Sequence, residues 1–211
     1  MEFFNESLDI FKDLNAIEEQ VMIKQCIATL FNDTGDFAKA AELLEEAIVT
    51  AENLKDNRGE IEAITELGRS HRNLGDSDKA KQLHERALDR SFELKSTVLE
   101  IEIRNNLALD LMMLNKTDEA EEEAREALEK ASGMEDPYLV YSSYVVLGKI
   151  YTKKHLFDKA YNYYQKTVDT IKKIRESIVD ENMVQAYIKR RDIQEIYKET
   201  SKLLKKMGST E

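Results

Sequence analysis

His71 and His84 are the side chains whose type best suits proton exchange near neutral pH, and each sits on a helical stripe. Ile64, Leu67, Gly68 and His71 share one face of a helix, and Ala80, Leu83, His84, Ala87 and Leu88 share another, with Gly75-Asp76 breaking the chain between them. A metal centre would need further ligands beside the two imidazoles, so the reading is two neutral histidines that lie close together and fill core space. Carboxylates are abundant from Glu119 to Glu123, but consecutive residues point around a helix and make a solvated face. No G-x-x-x-x-G-K-S, H-E-x-x-H or C-x-x-C run occurs, and the glycines stand singly. The sequence therefore reads as non-enzymatic, without a catalytic residue, metal or cofactor.

The elements that position these residues follow a fixed period. Ala40, Ala80, Ala120 and Ala160 stand 40 residues apart, preceded by Ile27-Ala28, Leu67-Gly68, Leu107-Ala108 and Leu147-Gly148 and followed by Leu44, His84, Ala124 and Tyr164. Ala47, Ala87, Ala127 and Thr167 complete the pattern. One helix pair cannot bury its apolar stripe alone, whereas stacked copies share a continuous core. The chain reads as an all-α solenoid.

These residues resemble the tetratricopeptide repeat, whose pattern is W-x-x-L-G-x-x-Y, then A-x-x-x-F, then P. The fourth copy matches through Tyr144, Leu147, Gly148, Tyr151, Ala160 and Tyr164, and the first through Lys24, Ile27, Ala28, Phe31, Ala40 and Leu44. The third has Arg104, Leu111 and Ala124 where the family prefers rings, and Phe92 stands where its proline would. The period exceeds the family's usual 34, and six extra residues lengthen each repeat's helices by about 9 Å in total. In this the chain is similar to the long-period arrays of kinesin light chains, spindle-orientation adaptors and Rap-type peptide receptors. HEAT and armadillo repeats have a comparable period, but the paired small residues favour the tetratricopeptide reading.

The resemblance implies a right-handed superhelical solenoid of antiparallel helix pairs whose concave face, lined by the first helix of each pair, binds a peptide or helical segment of another protein. His71 and His84 then take ring places between paired helices. Carrying the lining places over gives a central groove of Arg69, Arg72, Asn73, Asn105, Asn106, Leu109, Met112 and Met113, continued by Val146, Lys149 and Lys153. Asparagine amides pair with peptide groups, arginine recognises carboxylates or carbonyls, and methionine fits varied apolar side chains. The places of the chaperone-binding carboxylate clamp read Gln25, Thr29, Glu66, Glu102 and Asn106, of which only Asn106 fits. The expected function is an adaptor that docks a protein segment; the alternative is a peptide-sensing domain of a signalling or transcriptional regulator.

A single solenoid over 1–211 is expected, with an N-terminal half-repeat or capping helix at 1–15 and repeats at 16–55, 56–95, 96–135 and 136–178. A single C-terminal capping helix is expected over 180–207, carrying Val184, Tyr187, Ile188, Ile196, Tyr197, Leu203, Leu204 and Met207; a degenerate fifth pair is the alternative. Capping boxes are expected at Asn57 with Glu60 and at Thr97 with Glu100, and Pro137 opens a helix behind Asp136. Phe3, Phe4, Leu8, Phe11 and Leu14 form an N-terminal stripe: either a cap or the second half of a pair whose first helix lies upstream. Its uncovered face favours self-association. The net charge of -11 disfavours nucleic acid, although residues 149–206 carry fifteen basic against eight acidic side chains. No apolar run reaches the roughly 20 residues that span a bilayer, and Cys26 is the only cysteine. A soluble, cytoplasmic protein without nucleic-acid or membrane partners is expected.

Overall fold

The computed structural model describes residues 2–14, 16–134 and 136–208, the side chains at 2, 4, 5, 8, 12 and 208 excepted. The described residues form eleven helices: α1 (Glu2–Asp13), α2 (Ile17–Thr34), α3 (Phe37–Leu54), α4 (Asn57–Asn73), α5 (Ser77–Leu94), α6 (Thr97–Met113), α7 (Thr117–Ser132), α8 (Pro137–Lys153), α9 (Phe157–Ser177), α10 (Glu181–Ile188) and α11 (Arg191–Gly208). The starts of α2, α4, α6 and α8 are 40 residues apart, as are those of α3, α5, α7 and α9. The chain is a solenoid of helix pairs: each first helix packs on its own second helix, and each second helix packs on the next pair.

The turn inside each pair repeats the same backbone device. Gly35, Gly75, Asn115 and His155 all adopt positive φ, at 93°, 91°, 63° and 58°. The left-handed conformation releases the chain from the first helix and aims it back along the second. Glycine takes it freely and asparagine tolerates it, whereas His155 accepts strain to keep the geometry. Between pairs, Lys55 and Lys95 make the corresponding left-handed exits from α3 and α5.

The helix starts differ from expectation by one residue. Asp56 and Ser96, rather than Asn57 and Thr97, are the N-caps, accepting hydrogen bonds from Gly59 N (2.9 Å) and Leu99 N (3.5 Å). Glu60 and Glu100 do not close capping boxes. Instead Glu60 accepts from Arg86 (3.0 Å) and Arg90 (2.6 Å), and Glu100 pairs with Arg104 (3.0 Å) and Lys130 (3.2 Å). These largely buried carboxylates gain more from fixed cations than from a single backbone N–H. Pro137 does occupy the first turn of α8, behind Asp136, which accepts from Tyr138 N.

The core follows the ladder. Ala28, Ala40, Ala80, Ala108, Ala120 and Ala160 are fully buried, with Leu44, Leu147 and Tyr151 between them. At Gly68 and Gly148 a second helix brings a ring directly onto the first: a Cβ at Gly68 would lie 2.6 Å from His84, and one at Gly148 would lie 2.9 Å from Tyr164. In the third repeat both members of the pair are small, Ala108 and Ala124. Its Arg104 fills a ring place through ion pairs with Glu100, Glu123 and Glu126.

At the ends the structure departs from expectation. The single helix expected over 180–207 is broken at Lys189-Arg190 into α10 and α11. Tyr187 and Ile193 are both buried, yet six residues of uninterrupted helix would point them about 120° apart. The break lets both reach the core, and Gln194 Nε2 donates to Ile188 O (2.6 Å) to cap the freed end of α10. Ile193, Ile196, Thr200 and Leu203 then form the stripe that α11 lays on α9, while Leu204, expected within it, is exposed. On α1, Phe3, Ile10 and Leu14 are exposed and Phe11 is half-buried; the side chains of Phe4 and Leu8 lie outside the described residues.

Gly68→Ala and Gly148→Ala should each destabilise the fold by about 1–3 kcal/mol, the cost of overpacking a close contact. Urea denaturation checks this, and a loss no larger than that of an exposed helical substitution such as Glu129→Ala would contradict it.

Candidate functional site: the concave cavity

A cavity of about 940 Å³ opens on the face built from α4, α6 and α8 and is closed at one end by α11. These helices expose a mixed lining because their other faces are committed to the core. Leu109, Val145, Val146 and Ile196 supply an apolar floor; Glu66, Arg69, Arg72, Glu102, Asn105, Asn106 and Lys149 supply polar groups. α11 adds Asp192, Glu195, Lys198 and Glu199. It is held across the cavity by Tyr141, whose hydroxyl donates to Asp192 (3.1 Å), and Asp192 also accepts from Arg190 (2.8 Å). Burial, followed by the Asp192 charge, pushes the Tyr141 phenol well above its ordinary pKa.

Beneath the lining runs a buried polar chain. Fully buried His84 contacts the Thr65 carbonyl through Nε2 (3.0 Å) and Asp110 Oδ2 through Nδ1. The carbonyl can only accept, so Nε2 is the donor in that contact. The other oxygen of Asp110 accepts from Arg72 Nη1 (2.9 Å), and Arg72 also donates to Asn106 O (3.1 Å) and Asn106 Oδ1 (2.9 Å). The chain joins α4, α5 and α6 and fixes Asn106 at the cavity wall.

Two tetratricopeptide repeat family models match residues 20–91 and 101–131, which together contain the buried chain. The chain carries tetratricopeptide repeats. A search of curated proteins returns no match by sequence. Among solved structures the fold is similar to BtubC (BKLC) from P. vanneervenii, at 23% identity and a TM-score of 0.70, covering 98% of this chain and 90% of that one. A putative kinesin light chain with nearly identical TPR-like repeats from Podosopora anserina is 17% identical, with a TM-score of 0.58 and coverage of 89% and 96%. A Rap protein complexed with Competence and Sporulation Factor is 17% identical, with a TM-score of 0.65, covering 100% of this chain and 59% of that one. At these identities the likeness is one of fold. A tetratricopeptide array is a scaffold for protein interaction.

The cavity of this tetratricopeptide array collects Arg69, Arg72, Asn105, Asn106, Leu109, Val146 and Lys149 from the expected groove residues. Asn73, Met112, Met113 and Lys153 are not among its lining; Met112 packs against the core, and the other three face solvent. The two guanidiniums, expected to face a ligand, have acceptors within the chain: Arg69 pairs with Asp33 and Glu66, and Arg72 with Asp110 and Asn106. Tyr138, Tyr141, Tyr164 and the whole α11 wall escaped sequence reasoning. Helical periodicity marks α11 as amphipathic but carries nothing about where it docks, since Tyr141 and Asp192 meet across 51 residues.

The expected pairing of His71 with His84 is overturned, because the two rings make no contact among the described residues. His84 turns into the α6 side of its repeat to reach a carboxylate, and His71 lies beside Asp76, Lys79 and Glu45. Its buried Nε2 has no hydrogen-bond partner among the described residues. Burial, aided by Lys79, holds His71 below the ordinary value of 6.5. Among the described residues no cluster of three or more His, Cys, Asp or Glu side chains could hold a metal.

Asp110→Ala would strand a buried imidazole and a guanidinium, and should cost about 3 kcal/mol in denaturant unfolding; the double change His84→Phe, Asp110→Leu should cost less. A milder single variant would show that the chain is not a stability element. For His71 the unfolded state binds more protons just below pH 6.5, so its contribution to stability is retained above that pH and lost as pH falls through it. Wild type should therefore lose more thermal stability than His71→Phe between about pH 7.5 and pH 5.5; equal losses would contradict the assignment.

Proposed function

We propose that the concave cavity docks an extended segment of a partner protein, making the chain an adaptor. The observation that carries this is the cavity itself: an apolar floor of Leu109, Val145 and Val146 rimmed by polar groups, wide enough for several side chains. The long-period repeats support the same reading, since longer first helices widen the concave face. A peptide-sensing role is the second reading, favoured by the position of α11, which closes the cavity through the Tyr141–Asp192 bond and would move if a ligand took its place. The likeness to a Rap protein complexed with Competence and Sporulation Factor accords with it. Self-association through α1 accords with the exposure of Phe3, Ile10 and Leu14. A cytoplasmic location accords with the single cysteine and with the described helices, none of which is long and apolar enough to cross a membrane.

Peptides selected from a random phage-displayed library on the full chain provide the test. Leu109→Arg and, separately, Val145→Arg should weaken their binding at least about tenfold, a loss of roughly 1.4 kcal/mol, with helicity retained by circular dichroism. Glu129→Arg, on α7 outside the cavity, should leave affinity unchanged in calorimetry. Binding lost through Glu129 and kept by both cavity variants would move the docking surface elsewhere.

A further inference from the structure

The cavity holds groups whose partners the chain does not supply. The Glu102 carboxylate makes no hydrogen bond or ion pair among the described residues. Burial, then the charges of Glu66 and Glu62, hold its pKa above the ordinary value, and Arg69, the cation that opposes this, is already paired with Asp33 and Glu66. Beside it, Asn105 is only 5% exposed. Its Nδ2 donates to the hydroxyls of Ser142 (3.2 Å) and Ser143 (3.0 Å). Both hydroxyls in turn give their protons to Leu139 O, so Asn105 Oδ1 is left without a donor. An uncompensated carboxylate and a buried, unpaired acceptor line one cavity, and both call for a cationic donor.

The opposite demand arises on α8. Lys149 also has no hydrogen bond or ion pair among the described residues, and burial and the charge of Arg72 lower its pKa. Glu195 and Glu199 of α11 act on it only at a distance, each being paired with its own neighbour, Arg191 (3.0 Å) and Lys202 (2.5 Å). Lys149 calls for an anion.

We propose that the groove recognises an extended peptide segment bearing a lysine or arginine, whose head group seats against Glu102, Glu66 and the Asn105 side-chain oxygen, while a carboxylate of the same segment meets Lys149. This rests on the docking function proposed above and names its ligand. Lys149 takes on α8 the place that Leu109 takes on α6, two turns beyond Glu102. The two charges are therefore separated by about 10 Å along the helix axes and by one helix spacing of about 10 Å across them. The resulting separation of roughly 14 Å corresponds to about four residues of extended chain. Leu109 and Val145, between the two sites, face the intervening side chains. The opposite signs also fix the direction in which the segment lies.

The test uses the phage-selected peptides that lose binding to Leu109→Arg or Val145→Arg. They should be enriched in a basic residue and an acidic residue about four positions apart. In fluorescence anisotropy, changing the peptide's basic residue to glutamine should weaken binding about tenfold or more, Glu102→Gln should do the same, and the two changes together should cost little more than either alone. Cavity-dependent peptides without a basic residue, or losses from Glu102→Gln and the peptide change that simply add, would overturn this inference and leave the docking function standing. A library that yields no cavity-dependent peptide would overturn both. Glu102 lines the cavity, where its walls desolvate it without packing it into the core, so its substitution tests recognition without threatening the fold.

Discussion

A ring can lie directly on the backbone of a neighbouring helix only where that helix has no Cβ, and Gly68 is the place where this constraint governs most of the molecule. Its bare backbone admits the His84 ring, which a methyl group would meet at 2.6 Å. His84 then reaches Asp110, Asp110 holds Arg72, and Arg72 holds both the carbonyl and the side-chain oxygen of Asn106 on the groove wall. Packing inside repeat two is thus converted into orientation at the surface of repeat three. Each member of this chain is tied to the next by a charged hydrogen bond in a dry setting, where such bonds are strong when complete and costly when broken.

The same economy of charge runs along the outside of the array. Glu60 collects Arg86 and Arg90, Glu100 collects Arg104 and Lys130, and Glu121 collects Lys154, Arg125 and the Tyr151 hydroxyl. At Glu121 burial alone would raise the pKa, but hydrogen bonds from Lys154, Tyr151 and Arg125 outweigh it and bring it down to about 2. These pairs recur between repeats, so a chain with 42 acidic and 31 basic side chains neutralises much of its surface by internal pairing. The charged groups left over in the cavity among the described residues, Glu102, Lys149 and the exposed Lys198, are conspicuous for that reason.

The C-terminal region shows how a stripe can be kept by breaking a helix. α10 and α11 bury Tyr187 and Ile193 only because the chain changes direction between them, and α11, laid on α9, thereby adds a further wall to the concave face. Its acidic side chains and the Tyr141–Asp192 bond give the cavity a closed end of different character from the open one.

The sequence by itself determined the repeat. Its period, the small residues and the turn positions at 35, 75, 115 and 155 are local or strictly periodic properties, which spacing along one chain records, while the resemblance to the tetratricopeptide repeat implied the first helices as the groove wall. Seven of the eleven expected groove residues line the cavity because they share that period. Tertiary structure alone decided which of these side chains face a ligand and which brace the array. Arg69 and Arg72 look like ligands for a peptide until Asp33 and Asp110 are seen across the repeat boundary, and His84 looks like a ring filler until a carboxylate 26 residues away reaches it. The physical reason is that a charged side chain takes the best desolvated partner within reach, and that partner is set by the stacking of helices, which periodicity announces without naming the residues that will meet.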